Sequence, residues 1–98
     1  MKALVVIGQM TCDPAKTVEV DAILSQLSSA SVSLEEGCVS YQYFEEIGKP
    51  GHFATVEHWA NADAEAAHWK TPHLKEAVAK LTPLMVDEMR MFKYQKTK

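Results

Sequence analysis

The sequence predicts an α+β domain in which helices cover one face of an antiparallel sheet. Two observations lead to this prediction. Short apolar runs bounded by turn residues predict strands, and two other segments carry apolar residues at the helical spacing i, i+3, i+4 and i+7. The order along the chain is strand, helix, strand, strand, helix, strand, which is the order of a ferredoxin-like split βαβ unit.

Length and composition favour one small globular domain spanning residues 1–98. The chain is 47% hydrophobic and 23% charged, which is typical of a folded protein, and its net charge of −3 disfavours nucleic-acid or anionic membrane partners. The apolar run at the N-terminus breaks at Gly8 with no cleavage site after it, so we expect a cytoplasmic protein. Cys12 and Cys38 lack the spacing of a metal site or a disulfide framework and are expected to be free thiols.

The first half of the chain predicts a strand followed by a helix. Strand one spans Lys2 to Thr11 and is apolar on both faces, so we expect a covering layer on each side. Asp13-Pro14 supplies an N-cap and a first-turn proline for the helix. We expect this helix to fray over Ser28–Ser33, because serine is a weak helix former. Its buried stripe is Val20, Ile23, Leu24 and Leu27.

A turn at Glu35-Glu36-Gly37, in which Gly37 is available for a positive φ, leads into strand two from Cys38 to Glu46. Strict alternation places Cys38 on the face opposite Tyr41. A glycine-rich connection then pairs strand two with strand three, His52 to Trp59, as an antiparallel hairpin. One face of strand three carries Phe53, Thr55, Glu57 and Trp59, and the other carries His52, Ala54, Val56 and His58.

The second helical region is predicted in two parts. Asn61 or Asp63 caps a short helix that ends near Lys70, and Pro72 opens another helix at a position that proline tolerates. Thr82-Pro83 ends that helix. Its stripe is Leu74, Ala77, Val78 and Leu81, and the last strand spans Val86 to Gln95 with Met89, Met91 and Phe92 as candidates for burial.

With both helical regions on one face, the other face of the sheet still carries apolar side chains from strand one and the hairpin. An uncovered apolar face of that size is unusual on a monomer. We therefore expect a homodimer in which two sheets meet face to face.

Four segments resemble the antibiotic biosynthesis monooxygenase domain family. The run Glu35–Tyr41 is similar to its acidic-Gly-Cys-x-x-Tyr turn and strand. Val56–Trp59, Ala66–His68 and Thr71–Lys75 resemble its E-x-W, A-x-H and S/T-P-H-F/L-K signature, in the same order and at the same spacing. The resemblance implies a dimeric α+β barrel, often with cofactor-independent oxygenase activity on quinol or anthrone-like aromatics.

An oxygenase without a cofactor must deprotonate its phenolic substrate inside a dry pocket, so that the anion can give an electron to O₂. His68 is the candidate base or proton shuttle in this chain, and neither a metal nor another cofactor is required. Strand parity leaves open which face of the hairpin lines the pocket. The candidate substrate-binding residues are Trp59, Tyr41, Tyr43, Phe53 and Trp69.

The other histidines favour structural interpretations. His73 follows a helix-opening proline, where its ring packs or caps, and His52 and His58 face solvent or a dimer interface. His68 and His73 are separated by five positions across a proline, with no third ligand near in sequence, so we expect no zinc site. Alignment on Thr71-Pro72 puts Val78 where haem-degrading relatives of this family have the iron-ligating histidine, which argues against haem.

The sequence leaves two further functions open. One is an isomerase or similar proton-transfer enzyme that uses the same histidine, since the family also includes an isomerase acting on a phosphorylated sugar derivative. The other is a dimer that binds a ligand without catalysis. Glu57 could orient a histidine, but a strand glutamate is usually a surface or interface ion-pair partner. A lone histidine is at least as often structural as catalytic.

Overall fold

The computed structural model describes residues 2–98 and confirms the predicted α+β fold. Four antiparallel strands form one sheet in the order β2-β3-β1-β4. Three helices lie on one of its faces, and the predicted break at Thr71-Pro72 separates the second helix from the third. The elements are β1 (Leu4–Thr11), α1 (Thr17–Leu34), β2 (Cys38–Glu45), β3 (His52–Trp59), α2 (Ala62–His68), α3 (Pro72–Leu81) and β4 (Arg90–Gln95), with 3₁₀ turns at Pro14–Lys16 and Thr82–Leu84.

The core lies between the sheet and the helices. Val6 packs with Leu27 of α1 and Leu74 of α3, and Met10 packs with Leu24 and Leu81 further along the same helices. The helical stripes predicted from sequence therefore cover β1, as their spacing requires.

Helix α1 does not fray in its serine-rich part, so that expectation was wrong. The helix continues to Leu34, and the hydroxyls of two of its serines donate hydrogen bonds. Ser28 Oγ donates to the backbone carbonyl of Tyr41 in β2, and Ser33 Oγ donates to the carbonyl of Ser29 at 2.6 Å. Ser31 is fully buried. Contacts with the neighbouring strand thus outweigh weak helix propensity.

Strand β2 contains a bulge that breaks the predicted alternation. Cys38 pairs with Trp59 and Ser40 pairs with the adjacent residue His58, so Val39 is the extra residue. Cys38 and Tyr41 are therefore both buried on the helix side, and the expectation that they occupy opposite faces was wrong.

Gly37 is required for close approach and not for an unusual backbone angle. The glycines with positive φ are Gly48 and Gly51, so Gly37 does not use the positive φ that is available to it. A Cβ at Gly37 would lie 2.3 Å from the Cβ of Ala64, far inside van der Waals contact. The first turn of α2 therefore packs directly on the turn between α1 and β2.

The last strand is shorter than predicted. Met85 forms an isolated bridge with Cys12, the chain then bends, and regular pairing with β1 begins only at Arg90. Met89 and Met91 are half-buried, whereas Phe92 is 38% exposed on the face away from the helices. No helix in residues 2–98 is long and apolar enough to cross a membrane.

Candidate functional site

Strand β3 presents a buried carboxylate to the interior. Glu57 is only 2% exposed, so the surface position expected from its place in a strand was wrong. Its Oε2 accepts a hydrogen bond from Thr55 Oγ1 at 2.9 Å, and its Oε1 accepts one from Trp59 Nε1 at 3.1 Å. These donors lie two residues away on the same face of the strand, which compensates part of the cost of burying the carboxylate.

His68 is the last residue of α2 and is 2% exposed. Its ring centroid lies 4.7 Å from that of Trp59 and 5.7 Å from that of Tyr41. Local sequence fixes this position, because Asn61 caps α2 and Thr71 Oγ1 donates to the carbonyl of His68 at 2.7 Å. The imidazole is thus held between α2 and the aromatic side chains of the sheet.

Glu35 joins two histidines that the sequence separates. Oε2 of Glu35 lies 2.6 Å from Nδ1 of His68 and 2.7 Å from Nε2 of His73. The three side chains come from the turn after α1, the end of α2 and the start of α3. One carboxylate oxygen accepting two N–H groups accounts for these short distances.

This cluster corrects the inference drawn from spacing. The spacing of five positions across a proline predicted that the imidazoles of His68 and His73 lie apart. Helices α2 and α3 instead turn so that both rings reach Glu35. The two histidine nitrogens and the carboxylate oxygen all lie within 4.8 Å of one another, a set that can hold a divalent metal.

A small cavity of about 20 Å³ lies between the sheet and the helices, beside His68. Its polar lining groups are Tyr41, Thr55, Glu57, His68 and Trp69. Among the described residues, those that line it include no lysine or arginine. The apolar remainder is Met10, Leu24, Leu27, Leu74, Val78, Leu81, Met89 and Met91.

Burial changes the acid–base properties of two groups in this cavity. It raises the pKa of Glu57, an effect that the hydrogen bonds from Thr55 and Trp59 partly oppose. Burial also raises the pKa of Tyr41, and the nearby carboxylate of Glu57 raises it further. Tyr41 is therefore a neutral hydroxyl near neutral pH and a poor candidate for a base.

Trp69 covers the cavity from the outside. It is 39% exposed, and its Nε1 donates to Oε2 of Glu65 at 2.7 Å. The other oxygen of Glu65 accepts from Lys93 Nζ of β4 at 3.0 Å. These two hydrogen bonds tie the end of α2 to the sheet at the edge of the cavity.

Two of the predicted substrate-binding residues lie elsewhere. The hydroxyl of Tyr43 donates to Oδ1 of Asp21 on α1 at 3.0 Å, and Phe53 packs in the core around Leu24. Phe53 also borders an open groove of about 510 Å³ at one end of the sheet, which His68 does not line. Tyr41 and Trp69 do line the small cavity, and Trp59 contacts His68.

Sequence reasoning missed Glu35 as a member of the site and favoured a surface or interface position for Glu57 over a role in orienting a histidine. Glu35 lies in a predicted turn, although it belongs to the acidic-Gly-Cys segment that carries the family resemblance. Glu57 shares strand parity with Trp59, and that parity was the available signal that it faces the same side.

Comparisons with known proteins agree with this fold. A model of the antibiotic biosynthesis monooxygenase family matches residues 3–80. An uncharacterized protein of Synechocystis sp. is 31% identical over 96 residues, which are 96% of this chain and 65% of that protein. The chain thus spans about two thirds of the length of this curated relative.

Solved structures are similar over almost the whole chain. A proposed antibiotic biosynthesis monooxygenase from Caulobacter crescentus superposes with a TM-score of 0.94 at 24% identity, over 99% of this chain and 92% of its own. A conserved protein from Methanosarcina mazei superposes with a TM-score of 0.91 at 25% identity, over 99% of this chain and 95% of its own. A third structure is a protein of unknown function from Bacteroides thetaiotaomicron, described as a possible oxidoreductase. It superposes with a TM-score of 0.88 at 26% identity, over 97% of this chain and 98% of its own.

Proposed function

The chain belongs to the antibiotic biosynthesis monooxygenase family, and from this premise we propose that it is a cofactor-independent monooxygenase acting on a small quinol or anthrone-like aromatic. His68 is the proposed base or proton shuttle. One observation carries the proposal: a buried histidine lines an internal cavity, packs on Trp59 and is held by a carboxylate through one ring nitrogen.

Glu35 determines which nitrogen of His68 is basic. A carboxylate accepts hydrogen bonds, so Nδ1 of His68 carries the proton that points to Oε2 of Glu35. Nε2 then has the free lone pair and can take a proton from a phenolic hydroxyl. The imidazolium formed by that transfer is stabilised by the adjacent carboxylate, in the manner of a carboxylate–histidine pair in hydrolases.

The reaction needs no electron carrier from the protein. For an anthrone, the deprotonated ring gives electrons to O₂, one oxygen atom becomes a carbonyl at the former CH₂ carbon, and the other leaves as water with both hydrogens. Aromatic and apolar walls exclude water and so keep the anion reactive toward O₂. Trp59, Tyr41 and Trp69 are the proposed aromatic substrate-binding residues, whereas Tyr43 and Phe53 border other parts of the molecule.

The composition of the cavity discriminates between this function and an isomerase acting on a phosphorylated substrate. A phosphate group requires cations or clustered N–H donors. The described lining residues offer the carboxylate of Glu57 and no lysine or arginine, so the cavity fits a neutral hydroxyl better than a phosphate. A non-catalytic ligand-binding dimer would account for the cavity but gives no role to the carboxylate-held histidine.

Substrate entry requires the site to open. The cavity of about 20 Å³ has room for one water molecule, whereas a cavity that binds benzene is about 150 Å³. Three of its walls are the flexible side chains of Met10, Met89 and Met91. We propose that Trp69 swings outward while these methionines repack, which admits a planar ring beside His68.

The face of the sheet opposite the helices is proposed to bind a second copy of this chain. Its central row is Val56, Ile7 and Phe92, which are direct neighbours across three strands, and Phe92 is 38% exposed. Sedimentation of the wild-type protein as a dimer at micromolar concentration is expected, and Ile7→Asp should shift it to a monomer. A wild-type monomer under these conditions would contradict the proposal.

Oxygen consumption tests the proposed activity. Chemically reduced 1,4-naphthoquinone and anthrone are the probes, measured with an oxygen electrode after subtraction of the uncatalysed rate. We expect His68→Asn to lower the rate at least about 100-fold, while Glu36→Gln, at an exposed position in the turn after α1, leaves it unchanged. Equal rates in wild type and His68→Asn would exclude the mechanism, and turnover of substrate under nitrogen would favour the isomerase.

A further inference from the structure

The cluster of Glu35, His68 and His73 contains more chemistry than the proposed reaction uses. That reaction needs Glu35 and one histidine, but a second imidazole reaches the same carboxylate oxygen at 2.7 Å. We propose that these three residues form a binding site for one Zn²⁺ ion, and that the bound ion inhibits the protein by occupying Nδ1 of His68.

The donor set fits zinc. Two imidazole nitrogens and one carboxylate oxygen are the protein ligands found in many zinc sites that keep a fourth position for water. Hard ions such as Mg²⁺ and Ca²⁺ prefer oxygen ligands and are poorly served by two imidazoles. The ligands are Nδ1 of His68, Nε2 of His73 and an oxygen of Glu35, all within 4.8 Å of one another.

Only a small movement is needed to admit the ion. Tetrahedral coordination with bonds near 2.1 Å places ligand atoms about 3.4 Å apart. The present contacts of 2.6 and 2.7 Å must therefore lengthen by somewhat less than about 1 Å. The two ring nitrogens, which lie within 4.8 Å of each other, must also take up a separation of about 3.4 Å, so the ion requires side-chain rotations of Glu35 and of both histidines.

The surroundings favour a preformed and accessible site. Gly37 packs on Ala64 and Thr71 bonds to the carbonyl of His68, so the segments that carry the ligands are fixed to one another. The side chains of His73 and Glu35 are 16% and 10% exposed, whereas that of His68 is 3% exposed. Water and ions can thus reach the cluster from the side of His73.

Binding at this position changes the function of His68. A metal on Nδ1 displaces the proton from that nitrogen, so the neutral ring then carries its one proton on Nε2, and Nε2 becomes a donor instead of an acceptor. The inhibitory effect rests on the proposed oxygenase function, whereas binding of the ion does not. Zn²⁺ binding and catalysis therefore require opposite tautomers of His68.

Calorimetric titration of tag-free, EDTA-treated protein with Zn²⁺ tests the site. We expect one ion per chain with a Kd below about 10 μM, and at least 10-fold weaker binding for Glu35→Gln and for His73→Asn. The matched control is the exposed neighbour Glu36→Gln, which should bind as wild type does. Co²⁺ should give the intense visible absorption of tetrahedral coordination.

Separate outcomes apply to binding and to inhibition. No saturable binding below about 1 mM in the wild type, or equal affinity in Glu35→Gln, would overturn the proposed site. If Zn²⁺ binds but does not slow oxygen uptake, the inhibitory role is wrong. If Zn²⁺ binds and no uptake occurs even in EDTA, the metal site stands and the proposed function fails.

Discussion

Nδ1 of His68 lies 2.6 Å from Oε2 of Glu35, although the two residues are 33 positions apart in the chain. This contact joins the turn after α1 to the end of α2. It fixes the ring orientation, assigns the proton to Nδ1 and leaves Nε2 as the basic nitrogen.

Glu35→Gln should lower metal-free oxygen uptake by about 10- to 100-fold with a smaller change in KM. The amide keeps the volume of the side chain but cannot stabilise an imidazolium by charge. Steady-state rates in EDTA provide the measurement. Glu36→Gln is the matched control, because Glu36 is exposed and adjacent in sequence, and an equal loss in both variants would count against a specific role of Glu35.

Gly37→Ala should destabilise the fold by about 1–3 kcal/mol, because the new methyl group would overlap Ala64. Urea unfolding followed by circular dichroism measures this change. Ala64→Gly should relieve the overlap, so the double variant should be more stable than the sum of the two single effects predicts. Strictly additive effects would show that the two residues do not restrict each other.

The change in melting temperature caused by Glu57→Gln should be more favourable at pH 7.5 than at pH 4.5. Burial raises the pKa of Glu57 in the folded state, so the protonated form stabilises the fold and this contribution is lost as pH rises through the folded-state pKa. Glutamine resembles the protonated acid at every pH. A larger gain at pH 4.5 than at pH 7.5 would reverse the expected sign.

Both cysteines should resist modification in the native protein. Burial raises the pKa of Cys12, and burial together with Glu35 and Glu57 raises the pKa of Cys38 to about 11. The thiolate fraction at pH 8 is therefore small. Reaction with Ellman's reagent should be at least about 10-fold slower in buffer than in urea, and comparable rates would indicate that the thiols are accessible.

Sequence periodicity was sufficient for the order of strands and helices, because apolar spacing directly reflects burial on a sheet. It was not sufficient at Val39, where the bulge inserts one residue and brings Cys38 to the same side as Tyr41. It also underestimated the length of α1. The hydrogen bond from Ser28 to β2 is a tertiary contact, and local helix propensity does not include such contacts.

The candidate site was predictable only in part. His68, Trp59, Tyr41 and Trp69 could be selected by residue type and family resemblance, and the structure brings them together. The contact between Glu35 and His73 depends on how α2 and α3 turn at Thr71, and the spacing of the two histidines alone suggested the opposite.

The cavity beside His68 is the proposed substrate site. A crystal structure of the protein soaked with 2-hydroxy-1,4-naphthoquinone, a planar analogue of the proposed product, tests it most directly. We expect the naphthoquinone ring to lie under a displaced Trp69, with one of its oxygens within about 3 Å of Nε2 of His68. A ligand bound in the open groove beside Phe53, with the cavity still closed, would contradict it.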